Sequence, residues 1–134
     1  MTIGKKMIKS KIQMIVFIAL FIYACVNSNM DSYVIQFWNY NINKNYYIAW
    51  DMLSQKMKKD YSKQVFAKSM SQLFKYPDMQ IKSFKILSIK YNNNIAIVKM
   101  RIIFSDNDYD EFYDQWIKEG GLWKFNGGGK KVLN

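Results

Sequence analysis

Two residue types that carry much of enzyme and metal chemistry are scarce in this chain. Of its 134 residues none is histidine, and Cys25 is the single cysteine. These counts exclude histidine-based general base catalysis, Ser-His-Asp and Cys-His arrangements, and zinc sites built from histidine or several cysteines. A single cysteine also excludes an internal disulfide framework.

Charge is missing from one long stretch, Met14–Val26, which is apolar and follows a basic segment without acidic residues. The basic residues of that segment are Lys5, Lys6, Lys9 and Lys11. The run is shorter than the ~20 apolar residues of a comfortable membrane-spanning helix. A basic start, an apolar core of ~7–15 residues and a small residue at its end, here Ala24, are typical of a secretory signal. The sequence therefore predicts a signal peptide at residues 1–24 and a polar tether at residues 25–30.

The end of this run, Ile22–Cys25, resembles the lipobox of bacterial lipoproteins. In that family an aliphatic residue lies three positions before a cysteine and a small residue lies directly before it, and Ile22 and Ala24 occupy those positions. The resemblance implies cleavage after Ala24, lipid modification of Cys25, and anchoring to a membrane of the bacterial cell envelope with the domain outside the cytoplasm. Two alternatives stay open: an uncleaved signal anchor, and a cytosolic protein in which Cys25 is a buried free cysteine.

Basic residues exceed acidic ones in the rest of the chain as well. The formal net charge is +10, and it is +6 without the four lysines of the predicted signal. Such an excess suits a protein lying against an anionic membrane, where each nearby basic residue contributes about 1 kcal/mol. The lysines are scattered, and an exported protein rarely meets nucleic acid, so nucleic acid is not expected as a partner.

Three helices are predicted by apolar residues that recur every three or four positions between Asp31 and Pro77. The first is capped by Asp31 or Ser32, the third is capped by Ser62, and Pro77 ends the third. The apolar stripes are Tyr33, Val34, Phe37 and Trp38 in the first helix, Tyr46, Trp50, Leu53 and Met57 in the second, and Val65, Phe66, Ser69, Met70, Leu73 and Phe74 in the third.

After Pro77 the apolar pattern changes to a period of two, which predicts a meander of four strands. The predicted strands are Ile81–Tyr91, Ile95–Phe104, Tyr109–Lys118 and Leu122–Phe125. The third has no purely apolar face, so a bulge within it is expected, and its acidic residues are expected to be solvated. Residues 127–134 are predicted to be a flexible tail. Helices followed by an antiparallel meander predict an α+β domain over residues 31–126, with the helices covering a curved sheet.

This order of elements resembles the nuclear-transport-factor-2-like (NTF2-like) fold, also called cystatin-like, with its SnoaL-type members. The family's opening has one helix, a short polar turn and then a helix ending in Leu-Ser, and Phe37-Trp38 followed by Asn43–Ser54 looks like it. Trp116–Phe125 is similar to the family's closing hairpin. The resemblance implies a cone-shaped domain in which the sheet wraps around a helix and leaves an apolar pocket. The candidates for lining that pocket are Trp38, Phe112, Tyr113, Trp116 and Trp123.

A non-enzymatic role is the leading functional hypothesis, namely a membrane-anchored lipoprotein whose domain binds a protein, a peptide or a small hydrophobic ligand. A second hypothesis is a signal-anchored assembly subunit of a secretion or conjugation complex, since periplasmic subunits of such complexes combine one membrane helix with this fold. A third is an isomerase-type enzyme, which needs a carboxylate and an oxyanion donor on one face. Tyr113 shares its strand face with Glu111 but not with Asp110 or Asp114, so no catalytic residue is predicted.

Neither a cofactor nor a metal is expected. The acidic turn formed by Asp106, Asp108 and Asp110 lacks the central glycine of a calcium loop, and the position of its bidentate glutamate is occupied by Ile117. A turn rich in aspartate explains this cluster without an ion.

Overall fold

A computed structural model describes residues 29–73, 75 and 80–130 of the chain. The predicted signal peptide, with Ala24, and the lipidation residue Cys25 lie outside the described residues. In the part that is described, no helix is long and apolar enough to cross a membrane. Within these ranges, the residues from Tyr33 onward form one compact unit. Its fold is α+β, with helices packed on a four-stranded antiparallel sheet, which confirms the predicted fold class.

The described residues form four helices, one more than the sequence predicts. They are α1 (Met30–Ile42), α2 (Tyr46–Asp51), α3 (Gln55–Asp60) and α4 (Lys63–Leu73). At the start of α1, the side chain of Asn29 accepts a hydrogen bond from Ser32 N at 3.3 Å, so the cap lies earlier than predicted. Val34, Phe37 and Trp38 of α1 are buried, as their helical spacing predicts.

The extra helix arises because the predicted second helix breaks at Leu53 and Ser54. Here the backbone pairs with the sheet: Ser54 N donates to the carbonyl of Phe125 at 2.8 Å, and Phe125 N donates to the carbonyl of Met52 at 2.9 Å. The Ser54 hydroxyl then accepts from Met57 N at 3.2 Å and caps α3. A tertiary contact thus interrupts an apolar pattern that runs on with helical spacing.

The buried face of α4 is narrower than predicted. Phe66 is buried and Met70 is half-buried, whereas Val65, Ser69 and Leu73 are exposed. The prediction is wrong for those three residues because this helix packs mainly through Phe66 and Met70, at i and i+4 spacing, with Ala67 half-buried beside them. Phe74, also predicted on that face, lies outside the described residues.

The strands follow one another in space in their chain order, β1-β2-β3-β4, all antiparallel. They are β1 (Ile81–Asn92), β2 (Ile95–Phe104), β3 (Tyr109–Glu119) and β4 (Leu122–Gly129). β2 has the predicted bounds, and Ala96, Val98, Met100 and Ile102 are buried on its inner face. The turns before β2 and β3 place Asn93 and Asn107 at positive φ, a conformation that asparagine tolerates well.

The expected bulge lies in β4, not in β3. β3 pairs with β2 without interruption, whereas against β4 the register shifts between Asp114↔Gly128 and Trp116↔Phe125. The extra residue is therefore on β4, where Gly127 has a φ of 118°. β4 continues to Gly129. Residues 127–129 thus belong to the sheet, and the predicted tail at 127–134 overlaps the last strand.

The core lies where α1 crosses the inner face of the sheet. The ring of Phe37 stacks on that of Phe125, with centroids 4.4 Å apart, and meets Trp116 edge to face at 5.6 Å. The Trp38 ring lies 5.3 Å from that of Phe112. Such aromatic pairs are worth about 0.5–1.5 kcal/mol beyond the area they bury. They fix α1 above β3 and β4 and leave a cavity beside it.

Candidate functional site

A cavity of about 400 Å³ lies beside this aromatic core, between α1, α4 and the inner face of the sheet. Most of its lining is apolar, and the charged groups are few. The lining residues are Phe37, Trp38, Met70, Leu73, Ile102, Phe104, Asp110, Phe112, Asp114, Phe125, Gly128, Gly129 and Lys130. Small-molecule sites have typical volumes of ~300–1,000 Å³ and combine apolar walls with a few polar groups, so this cavity has the size and composition of a ligand site.

Asp114 is the buried polar group of the cavity. Asp114 is 1% exposed to solvent. Its Oδ2 accepts a hydrogen bond of 2.7 Å from Trp38 Nε1, whereas Oδ1 has no hydrogen-bond partner among the described residues. An unsatisfied buried acceptor costs about 1–3 kcal/mol, so it is a feature that calls for an explanation.

Burial makes the charged form of Asp114 unfavourable. It raises the pKa of this carboxyl from 3.8 to about 7, against the opposite effect of the indole N–H groups of Trp38 and Trp116. The Trp116 group acts weakly in this conformation, since its Nε1 completes no hydrogen bond. Near neutral pH the carboxyl is therefore divided between its protonated and ionised forms, and a ligand that favours one form will shift the balance.

Gly128 makes room for this carboxyl. It lies opposite Asp114 on the neighbouring strand. A Cβ atom at position 128 would lie 3.0 Å from Asp114 Oδ1 and 3.0 Å from the carbonyl oxygen of Tyr113, tighter than nine in ten Cβ contacts in proteins. At Gly129 a Cβ would meet nothing within 4 Å. The glycine run that reads as a tail thus includes one residue that the buried acid requires.

An ion pair lies at the cavity mouth. Lys130 Nζ is 3.1 Å from Asp110 Oδ2, with the two side chains 78% and 47% exposed. At such exposure the pair contributes at most about 1 kcal/mol. Because Asp110 and Lys130 pair with each other, Asp114 is the one ionisable group of the described lining without an ionic partner.

The predicted lining residues are divided among four places. Trp38 and Phe112 line the cavity. Trp116 is fully buried in the aromatic core beneath it. Tyr113 lies on the opposite face of β3, because side chains alternate along a strand, and Trp123 lies against Tyr91 with ring centroids 5.9 Å apart.

Glu111 and Tyr113 belong to the outer face of the sheet. The guanidinium of Arg101 bonds Glu111 at 2.7 Å and, with Lys99, holds the pKa of that carboxyl below its usual range. Lys99 Nζ lies 5.9 Å from the centroid of the Tyr113 ring. A tyrosine on this side cannot assist a reaction inside the cavity.

The acidic turn bonds to its own backbone. Asp106 Oδ1 accepts from Asp108 N, and Asp108 Oδ1 accepts from Tyr109 N, each at 2.9 Å. Such local bonds are the usual role of aspartate in turns. Among the described residues, no group of three acidic, cysteine or histidine side chains is arranged to hold a metal ion.

Solved structures share this architecture at low sequence identity. A SEC-C motif containing protein from Rhodopseudomonas palustris matches with a TM-score of 0.64 and 10% identity, over 78% of this chain and 80% of that one. A putative NTF2-like transpeptidase from Campylobacter jejuni matches with a TM-score of 0.56 and 15% identity, over 74% of this chain and 98% of that one. No protein-family model and no curated protein matches the sequence. The domain is an α+β domain with an NTF2-like fold.

Proposed function

We propose that this domain is a binding module for a small, largely apolar ligand, and that a lipid on Cys25 holds it at the bacterial envelope. The observation that carries the first part is the cavity of about 400 Å³ with the unpartnered Oδ1 of Asp114 in its wall. A packed core gains nothing from a void or from a buried acceptor without a donor. A ligand that fills the void and reaches Oδ1 offsets both costs.

A neutral fluorescent probe tests the binding function. N-phenyl-1-naphthylamine brightens in apolar sites, and we expect it to bind the full chain in lipid nanodiscs. Met70→Trp places a large ring in the cavity and is expected to weaken binding at least tenfold. Val65→Trp is the matched control, because Val65 lies on the same helix, is 50% exposed and does not line the cavity. Equal signals from the wild type and both variants would refute a pocket ligand.

The anchoring is supported by the sequence alone, through the uncharged run, the basic segment before it and the lipobox-like Ile22–Cys25. Growth with radioactive palmitate is expected to label the protein, and Cys25→Ser is expected to remove the label. A protein of unprocessed mass without label would contradict lipidation and favour the signal anchor.

An isomerase-type enzyme is the second candidate, and the pKa of Asp114 is the observation that favours it. A carboxyl with a pKa of about 7 in an apolar cavity is suited to take a proton from carbon and return it. The described lining contains no tyrosine, serine or threonine to stabilise the enolate, so binding is the better supported role. Exchange of the α-protons of 2-tetralone in D₂O, followed by NMR, tests this chemistry: exchange that is lost in Asp114→Asn would favour the enzyme.

A further inference from the structure

We infer that the cavity selects an amine: a ligand with an apolar body and one protonated amino group that donates a hydrogen bond to Oδ1 of Asp114. This inference rests on the proposed binding function and adds to it the chemical class of the ligand. Of the acceptors in the described lining, Oδ1 is the buried one without a partner, whereas Oδ2 already accepts from Trp38 Nε1 at 2.7 Å. Trp116 Nε1 also acts on this carboxyl but completes no hydrogen bond with it, so Oδ1 keeps the capacity to accept from a ligand.

The charges of the lining favour a cation. Two carboxylates, Asp110 and Asp114, face one ammonium, Lys130, and that ammonium is already paired with Asp110 at 3.1 Å. An anionic ligand would place like charges together in an apolar site. A neutral donor such as an alcohol would satisfy Oδ1 but leave the carboxylate charge unpaired. An ammonium donates a hydrogen bond to Oδ1 and also neutralises the carboxylate charge. Hydrogen bonds between charged partners are about twice as strong as neutral ones.

The walls around Asp114 suit the apolar body of such a ligand. Trp38 and Phe112 line the cavity with rings whose centroids are 5.3 Å apart at an angle of 64°. The Trp38 ring turns its N–H edge to this carboxyl and fixes Oδ2. The other walls are apolar and suit a hydrocarbon body.

Amine binding will depend on pH, because only ionised Asp114 pairs with an ammonium. The titratable groups that face Asp114 are few: Asp110 on its own strand and Lys130 after β4, while α1, α4 and β2 contribute no titratable residue to the lining. The ionised fraction of a carboxyl with a pKa of about 7 falls from about nine-tenths at pH 8 to about one-thirtieth at pH 5.5. The affinity for an amine that stays protonated should fall about 30-fold between these pH values.

The test measures the binding of three probes by calorimetry with the full chain in nanodiscs. The probes share a naphthyl body and are 2-(1-naphthyl)ethylamine, 2-(1-naphthyl)ethanol and the anion of 1-naphthaleneacetic acid. At pH 8 we expect the amine to bind at least tenfold more tightly than the alcohol, and the acetate to bind most weakly. Asp114→Asn should remove the preference for the amine. Asp60→Asn, at an exposed position outside the cavity lining, should keep it, which controls for general loss of negative charge.

The outcomes separate the inference from the function on which it rests. If all three probes bind alike, or the acetate binds best, the amine assignment is overturned while the binding function stands. If no probe binds, the binding function itself fails. Should Asp114→Asn misfold, the wild type alone decides: an amine preference that does not fall between pH 8 and pH 5.5 would overturn the role of Asp114.

Discussion

A chain without histidine has few groups that titrate between pH 5 and pH 7.5. Asp114 is the described residue whose pKa is shifted into that interval. We therefore expect the free energy of unfolding to fall as the pH rises from 5 to 7.5, and we expect Asp114→Asn to abolish most of that fall.

The sign follows from the number of bound protons. Between the unfolded pKa of 3.8 and the folded pKa of about 7, the folded chain holds a proton on Asp114 that the unfolded chain has lost. Stability therefore decreases as the pH rises through this interval. A shift of about three units corresponds to about 4 kcal/mol, since each unit is worth about 1.4 kcal/mol. About 2–3 kcal/mol of this total falls between pH 5 and pH 7.5.

Urea unfolding at several pH values, followed by tryptophan fluorescence, measures the effect. The wild type should lose about 2–3 kcal/mol between pH 5 and pH 7.5, while Asp114→Asn should change little. Asp110→Asn, at the exposed end of the cavity, should retain the wild-type dependence. A flat wild-type profile, or the same slope in Asp114→Asn, would show that the buried carboxyl does not titrate here.

Three further substitutions probe the same region and its supports. Trp38→Phe removes the N–H that donates to Asp114. We expect the free energy of unfolding to fall by about 1.5–3 kcal/mol at pH 8, where the carboxyl is charged, and by less at pH 5. Urea unfolding at both pH values measures this difference. Gly128→Ala should lower stability by about 1–3 kcal/mol, because its Cβ would approach the carboxyl to 3.0 Å, whereas Gly129→Ala should change it little in thermal denaturation. Ser54→Ala removes the cap of α3 and should cost about 1–2 kcal/mol, and an unchanged melting temperature would contradict that role.

The strands were largely predictable because their apolar pattern has a period of two, most clearly in β2. β2 has the predicted bounds, and Ala96, Val98, Met100 and Ile102 carry the pattern. The break at Ser54 was not predictable, since it depends on backbone hydrogen bonds to Phe125, which lies far along the chain. Periodicity reports which residues face inward, and it does not report where a distant strand takes over the hydrogen bonds of a helix.

The resemblance predicted an apolar pocket, but the burial of Asp114 in its wall was not predicted. Alternation places Asp114 between Phe112 and Trp116 on one strand face, and this was the available signal that the acid is buried. The burial of Asp114 was missed because acidic residues near turns were expected to be solvated. That expectation describes Asp110, which is half exposed at the cavity mouth, and is wrong for Asp114. The space that Gly128 leaves for the carboxyl follows from the bulge in β4, which no local pattern specifies.

The pairing of the helix break with β4 also affects how the sheet meets other molecules. An open strand edge offers unpaired N–H and C=O groups to a strand from another chain. On β4, the N–H and the carbonyl of Phe125 are already taken by the backbone of Met52 and Ser54. On β1, the other edge, the exposed side chains include Lys82, Lys85 and Lys90. The β4 edge is thus occupied at Phe125 and the β1 edge carries exposed lysines, so association between copies through strand addition is disfavoured at these places.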